Sequence, residues 1–340
     1  KGYELLIIQE VWDVLRAFAS FGFCKAHAAA FALPTYQSAW LKTHYPAAFL
    51  AGVLTHDPGM YPKRLIVDEA RQMGITIAPI DVNASDAVYR VEDHGNAIRI
   101  ALSTVSGISD AEVQSIIAGR PYIDLNDFVR RSGCSTPVTE SLILTGGFDS
   151  LHADVNRRDL LLHFSDLQKS PSAAVSGAQM NLGFEPPALI SSGLPAMTAS
   201  ESVKHEIDRL GIDMSRHLIE FYGEFLNAIG AVRSSDLLKQ RSQSSVLVAG
   251  IKVAMQTPPV RSGKRVIFLT LDDGYGCSDS TFFTDVQSEY ANVLYSTSLL
   301  LVRGVTRRTG ARGISIRATG AWDLRAAYES WSAKQSTLAI

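Results

Sequence analysis

From Ser170 to Ser200 the chain runs through serine, alanine, proline and glycine, a composition that cannot bury enough apolar surface to order itself. A chain of 340 residues cut in this way does not close around one core, and two or three domains of ~100 to 200 residues each are expected. The two sides also differ in period. Helical spacing of apolar residues dominates before the break, and alternation dominates from Ser245 to Trp322. The fold class expected is therefore α+β and multidomain.

Charge narrows the function classes. A net charge of -2 argues against a uniformly basic nucleic-acid protein, so any contact with nucleic acid has to be local. Cys24, Cys134 and Cys277 lie far apart without C-x-x-C spacing, which offers no zinc site and fits a reducing cytoplasm. No run approaches ~18 apolar residues and no signal pattern opens the chain, so a cytoplasmic protein is expected. The chain opens at Lys1, and a helical pattern is already running at Glu4, which reads as a fragment lacking its N-terminal part.

In the first half, Leu5, Leu6, Ile8, Val11, Trp12, Leu15 and Phe18 predict an amphipathic helix over Glu4 to Ser20. It is expected to pack under the stretch Phe21 to Leu54, read as two closely spaced helices. There Ala28, Ala29, Ala30, Ala32 and Ala39 permit close approach, and Phe31, Tyr36, Trp40 and Phe49 fill the space between. Lys25, His27, Lys42 and His44 stand near the helix ends. Pro34 is expected to kink or stop the first helix, and Pro46 suits the first turn of the second. Tyr61 to Met73 follows as a helix stopped by Gly74. Lys63 and Arg64 stand at its start, where the helix dipole disfavours cations, so either an anion site or a solvated pair accounts for them.

Ile75 to Ile80 reads as a strand, and Ala87 to Val91 pairs with Ala97 to Ala101 across a hairpin turn. Leu102 to Arg120 then has the pattern of a helix-hairpin-helix. The turn Ser106-Gly107-Ile108-Ser109 leads into a helix at Asp110, with backbone N–H groups available to a DNA phosphate. Ser109 stands where glycine is usual, so a phosphate site and a purely structural turn both stay open. A second helical pair, Leu125 to Arg131 and Val138 to Thr145, closes the unit. Asp159 to Leu167 is the next helix, opened by Asn156, Arg157 and Arg158.

Beyond the break, Glu201 to Gly211 and Ser215 to Ile229 read as helices, with His217 a capping or packing residue or, alternatively, a metal ligand. Strands are expected around Val246 to Ile251, Arg265 to Leu271, Thr281 to Val286 and Leu299 to Val305, with a short helix near Gln287 to Tyr290. This is the pattern of a small oligonucleotide-binding barrel. Between Arg241 and Arg325 stand eleven basic and six acidic residues, a local excess of five positive charges. Arg261, Lys264, Arg265, Arg307, Arg308 and Arg312 crowd its loops, and Phe268, Phe282 and Phe283 offer stacking faces. Backbone attraction plus stacking is how such barrels hold single strands.

Chemistry of phosphoryl transfer needs carboxylates that hold two cations. Asp272 and Asp273 are neighbours at a strand end, so their side chains point to opposite faces. With no third acid in a complementary position they read as turn formers, and no metal site is expected. No Ser-His-Asp set, phosphate loop or H-E-x-x-H helix occurs.

The runs His27 to Phe31, Tyr36-Gln37, Trp40-Leu41-Lys42 and His44-Tyr45-Pro46-Ala47 together resemble the fingers of bacterial C-family DNA polymerases, the DNA polymerase III alpha subunit. The likeness continues collinearly from Phe21 to Leu324, and Pro58 to Arg64 is similar to the error-prone type found in actinobacteria. The resemblance implies a layout of fingers end at 1–75, helix-hairpin-helix domain at 76–165, linker at 166–200, helical connector at 201–240, OB-fold at 241–325 and tail at 326–340. It implies DNA contact at Lys25, His27 and Lys42 and near Arg157 and Arg158. It also implies a sliding-clamp peptide in the linker, held by Gln179, Leu182 and Phe184. The implied function is DNA-templated DNA synthesis, replicative or error-prone, with primer-template DNA, single-stranded template, the clamp and other replication or repair subunits as partners. The catalytic palm with its aspartates and Mg2+ is expected upstream, so the chain alone is expected to need no cofactor and to be inactive. A second reading is a stand-alone, non-catalytic adaptor that joins a helix-hairpin-helix to an OB-fold for DNA binding.

Overall fold

The computed structural model describes residues 2–19, 25–57, 59, 61–169, 188–258, 265–308, 310 and 313–338. Gln179, Leu182, Phe184, Arg261, Lys264 and Arg312 lie outside the described residues.

Two long helices open the chain, α1 (Leu5–Ala19) and α2 (Lys25–His44). Neither packs as the sequence suggests: Leu5, Trp12, Phe31 and Tyr36 are exposed and α2 buries no residue. The apolar stripes are real, but among the described residues nothing covers them. Pro34 does not break α2. Proline removes one backbone donor, and the adjacent turn keeps its own tie, in which the Thr35 hydroxyl donates to the Phe31 carbonyl at 2.7 Å.

The first core begins at α3 (Pro46–His56), with Pro46 in its first turn as expected, and α4 (Lys63–Gln72). Next comes a small sheet of β1 (Thr76–Ala78), β2 (Arg90–Glu92) and β3 (Ala97–Arg99). β3 lies in the middle, parallel to β1 and antiparallel to β2, with Val91 opposite Ile98. Helices α5 (Asp110–Ala118), α6 (Leu125–Ser132), α7 (Thr136–Thr145) and α8 (Arg157–Lys169) close over it. Leu54, Val67, Ile98, Leu102, Leu125, Phe128 and Leu142 share one core, so the apolar packing crosses the expected boundary at 75/76 without a break. Ile212 and Met214, which follow α9 (Ala199–Leu210), join the same core.

The segment from Ser215 to Ile229 is not one helix. It splits into a 3₁₀ turn at Leu218–Tyr222, α10 (Gly223–Ala228) and, further on, α11 (Ser234–Leu237). Five strands then close a barrel in the order β4 (Ser245–Gln256), β5 (Ile267–Asp272), β6 (Cys277–Phe282), β8 (Ile314–Asp323) and β7 (Leu299–Arg308). β6 and β8 run parallel, and α12 (Thr284–Ser296) bridges β6 to β7; this is OB-fold topology. The third strand thus ends at Phe282 rather than running to Val286, and the helix after it is longer than expected. The barrel pinches at Gly304, beside a register shift in β7, where a Cβ would stand 2.4 Å from Ile316 Cγ2. Helix α13 (Leu324–Leu338) occupies the expected tail, and its Tyr328 and Trp331 pack against Tyr222 and Phe225 on the outside of the barrel.

Candidate nucleic-acid interface

Alternation along β5 turns Ile267, Leu269 and Leu271 inward and Phe268 and Thr270 outward. Register then builds a row across three strands: Phe268 lies opposite Thr281 on β6, and Thr281 opposite Arg317 on β8. Phe268 is 45% exposed. Phe283, just past β6, is also open, and the Arg317 guanidinium sits 5.5 Å from its ring centroid, a cation–π contact, and 3.4 Å from Asp285 Oδ2 in an exposed ion pair. Beside this pair lies a groove of about 530 Å³ lined in part by Gln243, Arg307, Arg317 and Thr319. Phe282 is fully buried and offers no stacking face, because neighbours in a strand point to opposite sides and Phe283 takes the outer one.

The loops at this end of the barrel are the basic ones. The β4–β5 connection delivers exposed Arg265, and β7 ends in exposed Arg307 and Arg308. Arg308 Nη2 donates to the Leu238 carbonyl at 2.9 Å, which anchors its side chain while leaving its charge without an acidic partner among the described residues. OB barrels take up oligonucleotides on the face of their second and third strands, between the first and the last of these loops. The aromatic and cationic row occupies that place here.

The hairpin turn has different electrostatics. Ser109 caps α5 in a reciprocal box: its hydroxyl accepts from the Glu112 N–H, and its own N–H donates to Glu112 Oε2 at 2.9 Å. The other Glu112 oxygen accepts from the Ser135 N–H at 2.9 Å and hydroxyl at 2.7 Å. The Ser135 and Ser109 N–H groups hold the Glu112 carboxyl well below its usual range, at about 2. A carboxylate of the protein thus stands at the helix start where a phosphate site and a structural turn were both open readings, with Asp110 beside it. Gly107 supplies the left-handed turn at φ +81°, and the Ser106 N–H donates to the Arg209 carbonyl, tying the hairpin to α9; Ile108 packs against the core.

The remaining candidates from the helical half are bound up internally or stand on unpacked helices. Arg157 forks onto Asp149 at 2.6 and 3.1 Å and donates to the Leu144 carbonyl at the end of α7. Arg158 pairs with Glu201 at 2.8 Å, and Lys42 with Glu69 at 2.6 Å. Lys25 is exposed at the start of α2, and His27 stacks edge-on against Phe31. None of these residues lines the groove beside Arg317. Sequence reasoning missed Arg317; counting the β8 register against β6 would have found it, but that strand was not recognised.

The sequence also missed a place where acids gather around a histidine. Asp68 of α4, His217 and Asp272 of β5 bring their ligand atoms within 4.8 Å of one another, all buried. His217 does cap the turn that follows it, its Nδ1 accepting from the Ile219 N–H at 3.2 Å.

Residues 74–160 match the family described as helix-hairpin-helix motif. An error-prone DNA polymerase of Symbiobacterium thermophilum is 31% identical over 93% of this chain, which covers 33% of that protein. An error-prone DNA polymerase of Nocardia farcinica is 32% identical over 88% of the chain, with 26% of the relative covered. The DNA polymerase III alpha subunit of Vibrio cholerae is 28% identical over 98% of the chain and is 30% covered. About nine-tenths of this chain is therefore homologous to bacterial error-prone DNA polymerases and DNA polymerase III alpha subunits, and it spans about a third of their length.

Proposed function

We propose that this chain is the DNA-guiding C-terminal portion of a DNA-templated DNA polymerase, with the nucleotidyl-transfer centre on polypeptide beyond these residues. The observation that carries the reading is the barrel face: exposed Phe268 and Phe283 stand beside Arg317, Arg265 and Arg307 on an OB-fold of net positive charge. Single-stranded template is its natural ligand, because stacking platforms and cationic loops hold a strand without reading bases. The exposed apolar stripes of α1 and α2 suit burial against the remainder of such a polymerase, which favours this reading over a stand-alone adaptor. Gln179, Leu182 and Phe184 are proposed to hold the sliding clamp, and Mg2+ to belong to the upstream palm.

Fluorescence anisotropy with a labelled oligothymidine tests the barrel reading. Saturable binding at low salt is expected, and absence of binding there contradicts it. The purified chain with primed template, nucleotides and Mg2+ is expected to give no extension. Leu182→Ala with Phe184→Ala is expected to abolish clamp pull-down, and full retention removes the clamp from the proposal.

A further inference from the structure

The cluster that joins the two cores has no part in the interface above. Asp68 on α4, His217 in the connector and Asp272 at the end of β5 are 1%, 2% and 1% exposed. His217 Nε2 stands 3.4 Å from Asp272 Oδ2 and 3.6 Å from Asp68 Oδ2, too long for a good hydrogen bond and close enough for strong Coulomb coupling. Asp68 Oδ2 and His217 Nε2 have no hydrogen-bond partner among the described residues. Around them, α4 supplies Arg64, 3.4 Å from Asp272, and Arg71, 2.6 Å from Asp68 Oδ1. The connector supplies Asp213, and β6 brings Cys277 alongside. Asp273 turns away, accepting from the Ser234 N–H at 2.7 Å. The imidazole rests on Gly274, where φ is +82° and a Cβ would stand 2.8 Å from ring Cγ, so the barrel turn is fitted to this histidine.

A metal does not suit the site. Because Nδ1 accepts from the Ile219 N–H, the ring proton sits on Nε2, facing the carboxylates; a ligating Nε2 would need that proton on Nδ1 and would lose the bond. Arg64 and Arg71 already supply two positive charges to the two aspartates.

We propose that Asp68, His217 and Asp272 form a proton-operated joint, in which one shared proton fixes the barrel against α4 and its loss loosens the contact. Arg64 stands 3.4 Å from Asp272, Arg71 meets only Oδ1 of Asp68, and Asp213 is a third acid nearby. The two carboxylates that face a neutral imidazole in this buried site therefore do not both ionise at low cost, and the closed joint retains a proton that its separated parts would release. Burial pushes the Asp68 carboxyl up to about 7, with Asp213 and Asp272 adding to the rise and His217 and Arg71 opposing it. Burial pulls His217 down, but Asp272 and Asp68 outweigh it and hold it raised. Asp272 stays low despite its burial, held by His217, the Gly274 N–H and Arg64.

The sign follows. Between the ordinary carboxyl value of 3.8 and about 7, the closed joint binds one proton more at Asp68 than the open one, so closure weakens as pH rises through that window. The raised His217 contributes in the same direction, and the low Asp272 limits closure only in acid.

Hydrogen exchange of the whole chain, corrected for intrinsic rates, reads the joint at residues 211–219 and 271–277. Protection there is expected to fall about tenfold between pH 6 and pH 8. Asp68→Asn, a neutral isostere, is expected to remove the larger part of that dependence, leaving the share that His217 carries through Asp272, while preserving protection. A flat wild-type profile, or an Asp68→Asn profile that falls as steeply as the wild type, overturns the proposal. So does stoichiometric zinc binding by calorimetry that His217→Asn abolishes. The wild-type profile decides even where a variant folds poorly.

Discussion

The helical body and the barrel use arginine in opposite ways. In the body, Arg71, Arg99, Arg131 and Arg157 each fork between a carboxylate and backbone carbonyls, so their donors are consumed inside the fold. In the barrel, none of Arg265, Arg303, Arg307 and Arg308 meets an acid among the described residues, and Arg317 meets one only through an exposed, solvent-screened pair with Asp285 at 3.4 Å. With the barrel region positive by five in a chain of net charge -2, the remainder is negative by seven. A guanidinium already satisfied by its own protein has little left for a phosphate. An arginine count alone therefore does not locate a nucleic-acid surface; the partners of each arginine do.

The contrast predicts which property each substitution moves. Arg71→Ala leaves the Asp68 carboxylate buried without its cation and is expected to cost about 3 to 5 kcal/mol by denaturant unfolding at pH 8. The loss is expected to shrink at pH 5, where Asp68 is protonated. Phe282→Ala, in the barrel core, is expected to cost about 3 to 5 kcal/mol of stability. Its outward counterpart Phe268→Ala is expected to leave stability within about 0.5 kcal/mol and to weaken oligonucleotide binding by about 1 to 3 kcal/mol in anisotropy. Ser109→Ala removes the cap of α5 and is expected to cost about 1 kcal/mol in thermal unfolding, with oligonucleotide affinity unchanged. An equal loss of affinity in Ser109→Ala and Phe268→Ala would erase the distinction between the two regions.

Much of the fold was legible because its signals are local. Pro46 starts α3, Gly146 and Gly211 end α7 and α9 in the left-handed region, and alternation marked β4, β5 and β7. What stayed hidden depends on contacts distant in sequence. The resemblance offered Arg157 as a DNA contact, and its ion pair with Asp149 was not visible in the sequence. Asp272 read as a lone turn former because its partner Asp68 lies 204 positions earlier, on a helix of the other core. Phe282 and Phe283 form an adjacent pair of which only one can face outward, and the register that decides between them is set by the barrel.

The most direct test of a single-strand-guiding barrel is the salt dependence of oligothymidine affinity in wild type and in the variant with Arg307, Arg308 and Arg312 changed to alanine. Each lost phosphate contact lowers the log–log slope by about 0.7 on a single strand, so three lost contacts should flatten it by about 2. A slope that does not change, at whatever affinity, would place the nucleic acid elsewhere on the molecule.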